Sequence, residues 1–140
     1  MKAIVYTKYG SPSVLQIKNV KKSTPKNNEV LVRVRATTVN RTDCANLRAK
    51  PFIMRFIMGL FKPKNPILGT EFAGDIEAVG KDVTTFKVGD KVFGFDDGGL
   101  SSYAEYLVIS EDKALTTMPG VTYEQAAASI EGAHYAYNFK

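Results

Sequence analysis

The chain has 140 residues, of which 44% are hydrophobic, enough for one domain with a real core. Lys and Arg outnumber Asp and Glu by 19 to 14, giving +5, but the cations are dispersed and form no block interleaved with aromatics, so no nucleic-acid partner is expected. No run of about 18 or more apolar residues occurs, Met1–Tyr6 carries no signal-peptide pattern, and Cys44 is the single cysteine, so the expectation is a cytoplasmic protein without membrane span or disulfide.

Lys2–Tyr6 reads as a first strand, Tyr9-Gly10-Ser11-Pro12 as a turn, and Val14–Lys18 as a second strand antiparallel to the first. Residues 19–28 are polar and contain Pro25, hence a surface loop. Glu29–Thr38 is the clearest strand: Val30, Val32, Val34 and Ala36 alternate with Arg33, Arg35 and Thr37. Asn40 then suits a helix N-cap, and a short helix to about Arg48 is predicted before Pro51. In residues 52–61, Phe52, Ile53, Phe56, Ile57 and Leu60 share one helical face. That segment fits a helix packed on the core, an apolar wall or lid over a cleft, or a contact with a membrane surface or another subunit.

Next comes the stretch Gly69-Thr70-Glu71-Phe72-Ala73-Gly74-Asp75-Ile76-Glu77-Ala78-Val79-Gly80. Phe72, Gly74, Ile76 and Ala78 alternate with Asp75 and Glu77, the pattern of a half-buried strand. Gly89-Asp90 turns the chain into a return strand from Lys91. Phe95–Ser102 is a polar, glycine-rich loop and Tyr103–Ile109 another strand. Pro119-Gly120 forms a turn, Thr122 and Gln125 have capping-box spacing, and helix follows, with a second helical stretch from about Gly132 to Lys140. Short strands and glycine turns with a few helices argue a mainly β, partly open antiparallel barrel.

The ordered pattern G-x-E-x-x-G-x-I-x-x-V-G from Gly69, F-K-x-G-D-x-V from Phe86, and Tyr103-Ala104-Glu105-Tyr106 resembles the medium-chain dehydrogenase/reductase superfamily, in its zinc-free, quinone-oxidoreductase-like branch. The resemblance implies a chaperonin-10-like (GroES-like) barrel. It implies a catalytic and substrate domain over residues 1–125. Residues 126–140 would begin a helical connection to a Rossmann cofactor domain that is absent, since no G-x-G-x-x-G occurs.

The same resemblance implies an NAD(P)H-dependent oxidoreductase that passes hydride to a quinone, enone or related carbonyl. NADPH is implied for a full-length enzyme, while this chain alone is expected to bind it weakly and show no turnover. Zinc-dependent members carry Cys and His where this chain has Asn40 and Thr70, and neither is a good zinc ligand, so no zinc is expected.

Negative charge developing on a substrate oxygen then needs hydrogen-bond donors, and Asn40 and Thr42 offer them. Asn40 can also cap the helix with its oxygen, which leaves its NH2 free. Asp43 completes the N-x-x-D arrangement and suits a structural bond. Glu71 suits pairing with an arginine or with backbone donors. Phe52, Phe56 and Thr70 are candidates for the substrate wall, and Arg41 and Tyr135 for cofactor contacts. Ala45 stands where relatives carry a tyrosine, and His134, the one histidine, suits packing or proton donation.

A homodimer is expected through the bared inter-domain face, including Tyr135, Tyr137 and Phe139. The alternative is a non-enzymatic GroES-like barrel serving as a binding or assembly module.

Overall fold

The computed structural model describes residues 1–96, 98–117 and 119–138. Seven strands and four α-helices lie among the described residues. Strands β1 (Lys2–Val5) and β2 (Gln16–Asn19) form an antiparallel hairpin. Strands β3 (Glu29–Ala36), β4 (Glu71–Val79), β5 (Lys91–Phe95), β6 (Tyr106–Ser110) and β7 (Ala114–Thr116) form a five-stranded antiparallel sheet in the order β6-β3-β4-β5-β7. Single bridges, Ala3 to Ala104 and Val5 to Ile67, tie the hairpin to the rest. The predicted mainly β, partly open antiparallel architecture is what forms.

The core is the product of alternation. Val30 and Val32 of β3, Phe72 and Ile76 of β4, Val92 of β5 and Leu107 and Ile109 of β6 meet on one side of the sheet with Phe86 and Leu100. The other side carries a second, smaller cluster. There helix α3 (Tyr123–Ala127) buries Ala126 and Ala127 against Ala73. The Tyr123 hydroxyl donates to Asp75, which Arg35 Nε also reaches at 2.7 Å. Helix α3 thus runs through residue 125, with Ala126 and Ala127 packed on the sheet. Helix α4 (Ile130–Asn138) follows.

Sheet curvature enters at β4. Its register with β3 shifts between Leu31 and Val32 and again between Val34 and Ala36. Gly74 sits in this stretch because a Cβ there would lie 2.1 Å from the Arg33 carbonyl oxygen.

Helix α1 (Arg41–Arg48) starts where expected, with Asn40 as its N-cap. Residues 52–61 differ from the core-packed reading. Only Met54–Met58 is helical, as α2, between Pro51 and Gly59. One turn cannot carry a two-turn apolar stripe. Phe52, Ile53, Phe56 and Ile57 are each more than 60% exposed, while Met54, Arg55 and Met58 turn inward. Arg55 lies 5.2 Å from the ring centres of Tyr9 and Phe52. Tyr135 and Tyr137 are exposed, as expected for the bared face, and Phe139 lies outside the described residues.

Gly74→Ala should force β3 and β4 apart and cost about 1–3 kcal/mol, read as a lower urea midpoint. An unchanged midpoint would show that β4 has slack at this position.

Candidate active site

The N-terminus of α1 is held by reciprocal hydrogen bonds. Asn40 Oδ1 accepts the Asp43 amide at 2.9 Å, and Asp43 Oδ2 accepts the Asn40 amide at 3.3 Å. Asp43 then reaches further. Its Oδ1 accepts the Gly69 amide at 3.1 Å, and its Oδ2 accepts the Tyr103 hydroxyl at 2.8 Å. The glycine at 69 is required: its φ is +110°, and a Cβ would lie 2.0 Å from Ser102 Oγ. Asp43 is only 2% exposed, so its expected structural role has a clear geometric basis. Burial pushes its carboxyl up from the ordinary range, against the pull of these donors and with the Glu71 charge adding to the rise.

Around this anchor opens a cleft of about 780 Å³. Asn40, Arg41, Thr42 and Ala45 of the α1 region form one wall; Glu131, Gly132 and Tyr135 of α4 form another. Lys50, Pro51 and Met54 close one side. Of the sequence-predicted site residues, Asn40, Arg41, Thr42 and Tyr135 line this cleft. Asp43 and Thr70 are buried outside its lining. Phe52 and Phe56 do not line it, because the single turn of α2 turns Met54 inward instead. His134 is also elsewhere, its ring 5.5 Å from that of Phe95.

Two findings concern polar partners. One N–H of the Asn40 side-chain amide is committed, donating to Thr70 Oγ1 at 2.7 Å, and Thr70 is fully buried. Of the two partners expected for Glu71, an arginine or backbone donors, the second is found. Its Oε1 accepts the Glu131 backbone amide at 2.8 Å, and its Oε2 accepts the Thr38 hydroxyl. It thereby pins the first turn of α4 to the start of β4.

Glu131 is the residue that sequence reasoning passed over. It is 8% exposed, and its Oε1 accepts the Thr42 hydroxyl at 2.8 Å across the cleft wall. Burial pushes its carboxyl up, the Thr42 bond opposes this, and the Glu71 and Asp43 charges add to the rise. One signal was available: Glu131 is the only Asp, Glu, Lys or Arg between Glu124 and Lys140. An isolated charge in an alanine-rich helical stretch marks a buried or working group.

A family model described as the alcohol dehydrogenase GroES-like domain matches residues 26–120. The chain belongs to this family. It is 39% identical over 129 residues to a quinone oxidoreductase of Pseudomonas aeruginosa, covering 91% of this chain and 36% of that protein. Quinone oxidoreductase 1 of Escherichia coli is 34% identical over 130 residues, again with 91% of this chain and 36% of the relative covered. The chain thus spans about a third of the length of these relatives. Among solved structures, the Escherichia coli quinone oxidoreductase complexed with NADPH superposes with a TM-score of 0.82 at 30% identity, over 99% of this chain and 40% of that one. The GroES-like barrel and the medium-chain dehydrogenase/reductase assignment follow.

Among the described residues, no group of His, Cys, Asp and Glu is arranged to hold a metal ion, and no helix is long and apolar enough to cross a membrane.

Tyr103→Phe removes a donor from a buried carboxylate and should lower stability by about 1.5–3 kcal/mol, measured by chemical denaturation. Glu131 carries a second prediction. A carboxyl raised on folding holds more protons folded than unfolded, so stability falls as pH rises from its ordinary value through its raised one. Glu131→Gln should therefore melt progressively higher than the parent as pH increases, with the difference fading in acid. A difference independent of pH would show that the charge is not the cause.

Proposed function

We propose that this chain forms the substrate-side wall of a zinc-independent, NAD(P)H-dependent oxidoreductase that reduces quinones, enones or related carbonyls. The observation that carries the reading is the placement of the Asn40 amide and the Thr42 hydroxyl side by side in the wall of one large cleft. Similarity to quinone oxidoreductases over 91% of the chain supports the substrate class.

A carbonyl oxygen gains negative charge as its carbon is reduced, and prepositioned donors lower that barrier. The Asn40 side chain is fixed at both ends, by the Asp43 amide and by Thr70, so its orientation needs no adjustment during reaction. Thr42, two residues on, contributes a hydroxyl to the same cleft wall. Met54 and Pro51 supply an apolar surface for a flat ring and help exclude water.

NADPH fits this arrangement in part. Arg41 is exposed at the cleft, where its guanidinium suits a phosphate. Tyr135 offers a ring edge to a nicotinamide. When bound, the reduced nicotinamide supplies hydride. Preference for NADPH, and weak binding by these residues alone, belong to the same reading.

Zinc does not fit. The Asn40 amide and the Thr70 hydroxyl, which stand at the expected ligand positions, hydrogen-bond to each other, and both are poor donors for that metal. A cytoplasmic location is part of the reading, supported by a single free cysteine. A homodimer through the face bearing Tyr135 and Tyr137 completes it.

Titration of the isotopically labelled chain with duroquinone, followed by NMR, should move the amide signals of Thr38, Thr42, Ala45 and Gly132. No movement there, or movement confined to the exposed α2 region, would overturn the substrate assignment. Stoichiometric zinc in purified protein would overturn the metal-free assignment.

A further inference from the structure

We propose that Glu131 is the proton source of this site and that Thr42 hands its proton to the substrate oxygen. The inference rests on the carbonyl-reductase reading given above.

Three carboxylates, Asp43, Glu71 and Glu131, are buried around the cleft. None of the ion pairs among the described residues involves them. Like charges gathered in a poorly solvated space cannot all ionise freely, so a proton is retained by the group with the fewest donors. Asp43 accepts the Tyr103 hydroxyl and the amides of Gly69 and Asn40. Glu71 accepts the Glu131 amide and the Thr38 hydroxyl. Glu131 has the Thr42 hydroxyl, with the Asn40 side-chain NH2 as the weakest of the influences that hold its charge. Among the described residues, Glu131 has no backbone amide holding its charge, unlike Asp43 and Glu71, and is the group assigned the proton. It is also the only one of the three carboxylates placed on α4, across the cleft from Thr42.

The Thr42–Glu131 contact of 2.8 Å works in either direction. With Glu131 ionised, the Thr42 hydroxyl is spent on the carboxylate. With Glu131 protonated, the carboxyl donates to Thr42 Oγ1, and the Thr42 hydrogen is released to point into the cleft. A carbonyl oxygen seated there then finds a donor that can also deliver.

The step balances. The substrate carbon gains hydride from a reduced nicotinamide, and the π pair of the C=O bond moves onto oxygen. That oxygen takes the hydrogen of Thr42, Thr42 takes the proton of Glu131, and water reloads the carboxylate. The other charged or titratable groups around Glu131 are Asp43 and Arg41 on the α1 side, Glu71 on β4, Lys50 beside the cleft, and His134 and Tyr135 on α4 itself.

The test needs no turnover. The chain is labelled with carboxyl-13C glutamate and titrated by NMR, and duroquinone affinity is measured across the same pH range. Its four methyl groups block addition of the Cys44 thiol. Glu131 should titrate above the exposed glutamates. Duroquinone affinity should fall as Glu131 ionises, approaching about tenfold per pH unit above its midpoint. Glu131→Gln and Thr42→Val should both abolish this slope, with folding checked by their amide spectra.

Glu131 titrating together with the exposed glutamates would overturn the proposal, whatever the variants do. So would a pH slope that survives in a folded variant. In both cases carbonyl binding, and with it the functional reading, would stand. Absence of duroquinone binding at every pH would overturn the functional reading and this role together, even with a raised Glu131 midpoint.

Discussion

Three segments distant in sequence meet on one buried carboxylate. Asp43 accepts hydrogen bonds from the helix start at Asn40, from the backbone at Gly69 and from the hydroxyl of Tyr103. Those bonds join α1, the approach to β4 and the approach to β6. A buried acceptor with three donors is directional, so it fixes orientation as well as contact. The capping box alone would start a helix. The added bonds decide where that helix points, and therefore where Asn40, Arg41 and Thr42 stand in the cleft.

Glu71 performs the equivalent task for the opposite wall. By accepting the Glu131 amide it seats the first turn of α4, while the Thr37 hydroxyl donates to the Glu71 backbone carbonyl at 2.7 Å. Each anchor spends a carboxylate in a poorly solvated space. Burial, with the neighbouring carboxylates adding to it, raises the Asp43 and Glu131 carboxyls above their ordinary range. The structural anchors thus create the electrostatic setting of the cleft.

The barrel was legible in the sequence because period-two alternation over Glu29–Ala36 and Glu71–Val79 reports a half-buried face directly. The helix caps at Asn40 and Thr122 were legible for a similar reason: each is local, with its partner three residues on. The segment 52–61 was not, because helical periodicity assumes that a helix continues. Pro51 and Gly59 leave it a single turn, and Phe52, Ile53, Phe56 and Ile57 face outward. Glu131 was overlooked because its partners, Thr42 and Glu71, lie 89 and 60 residues away in sequence.

The sequence by itself determined the family, the strand pattern and the identity of the donor-bearing helix start, since each depends on neighbours or on spacing along the chain. Only the tertiary structure decided which of those side chains share a cleft. It set Asn40 against Thr70, turned Met54 inward in place of Phe52 and Phe56, and brought Glu131 to Thr42. Hydrogen-bond saturation and carboxyl desolvation depend on distances through space, and alternation or capping patterns along one dimension do not specify them.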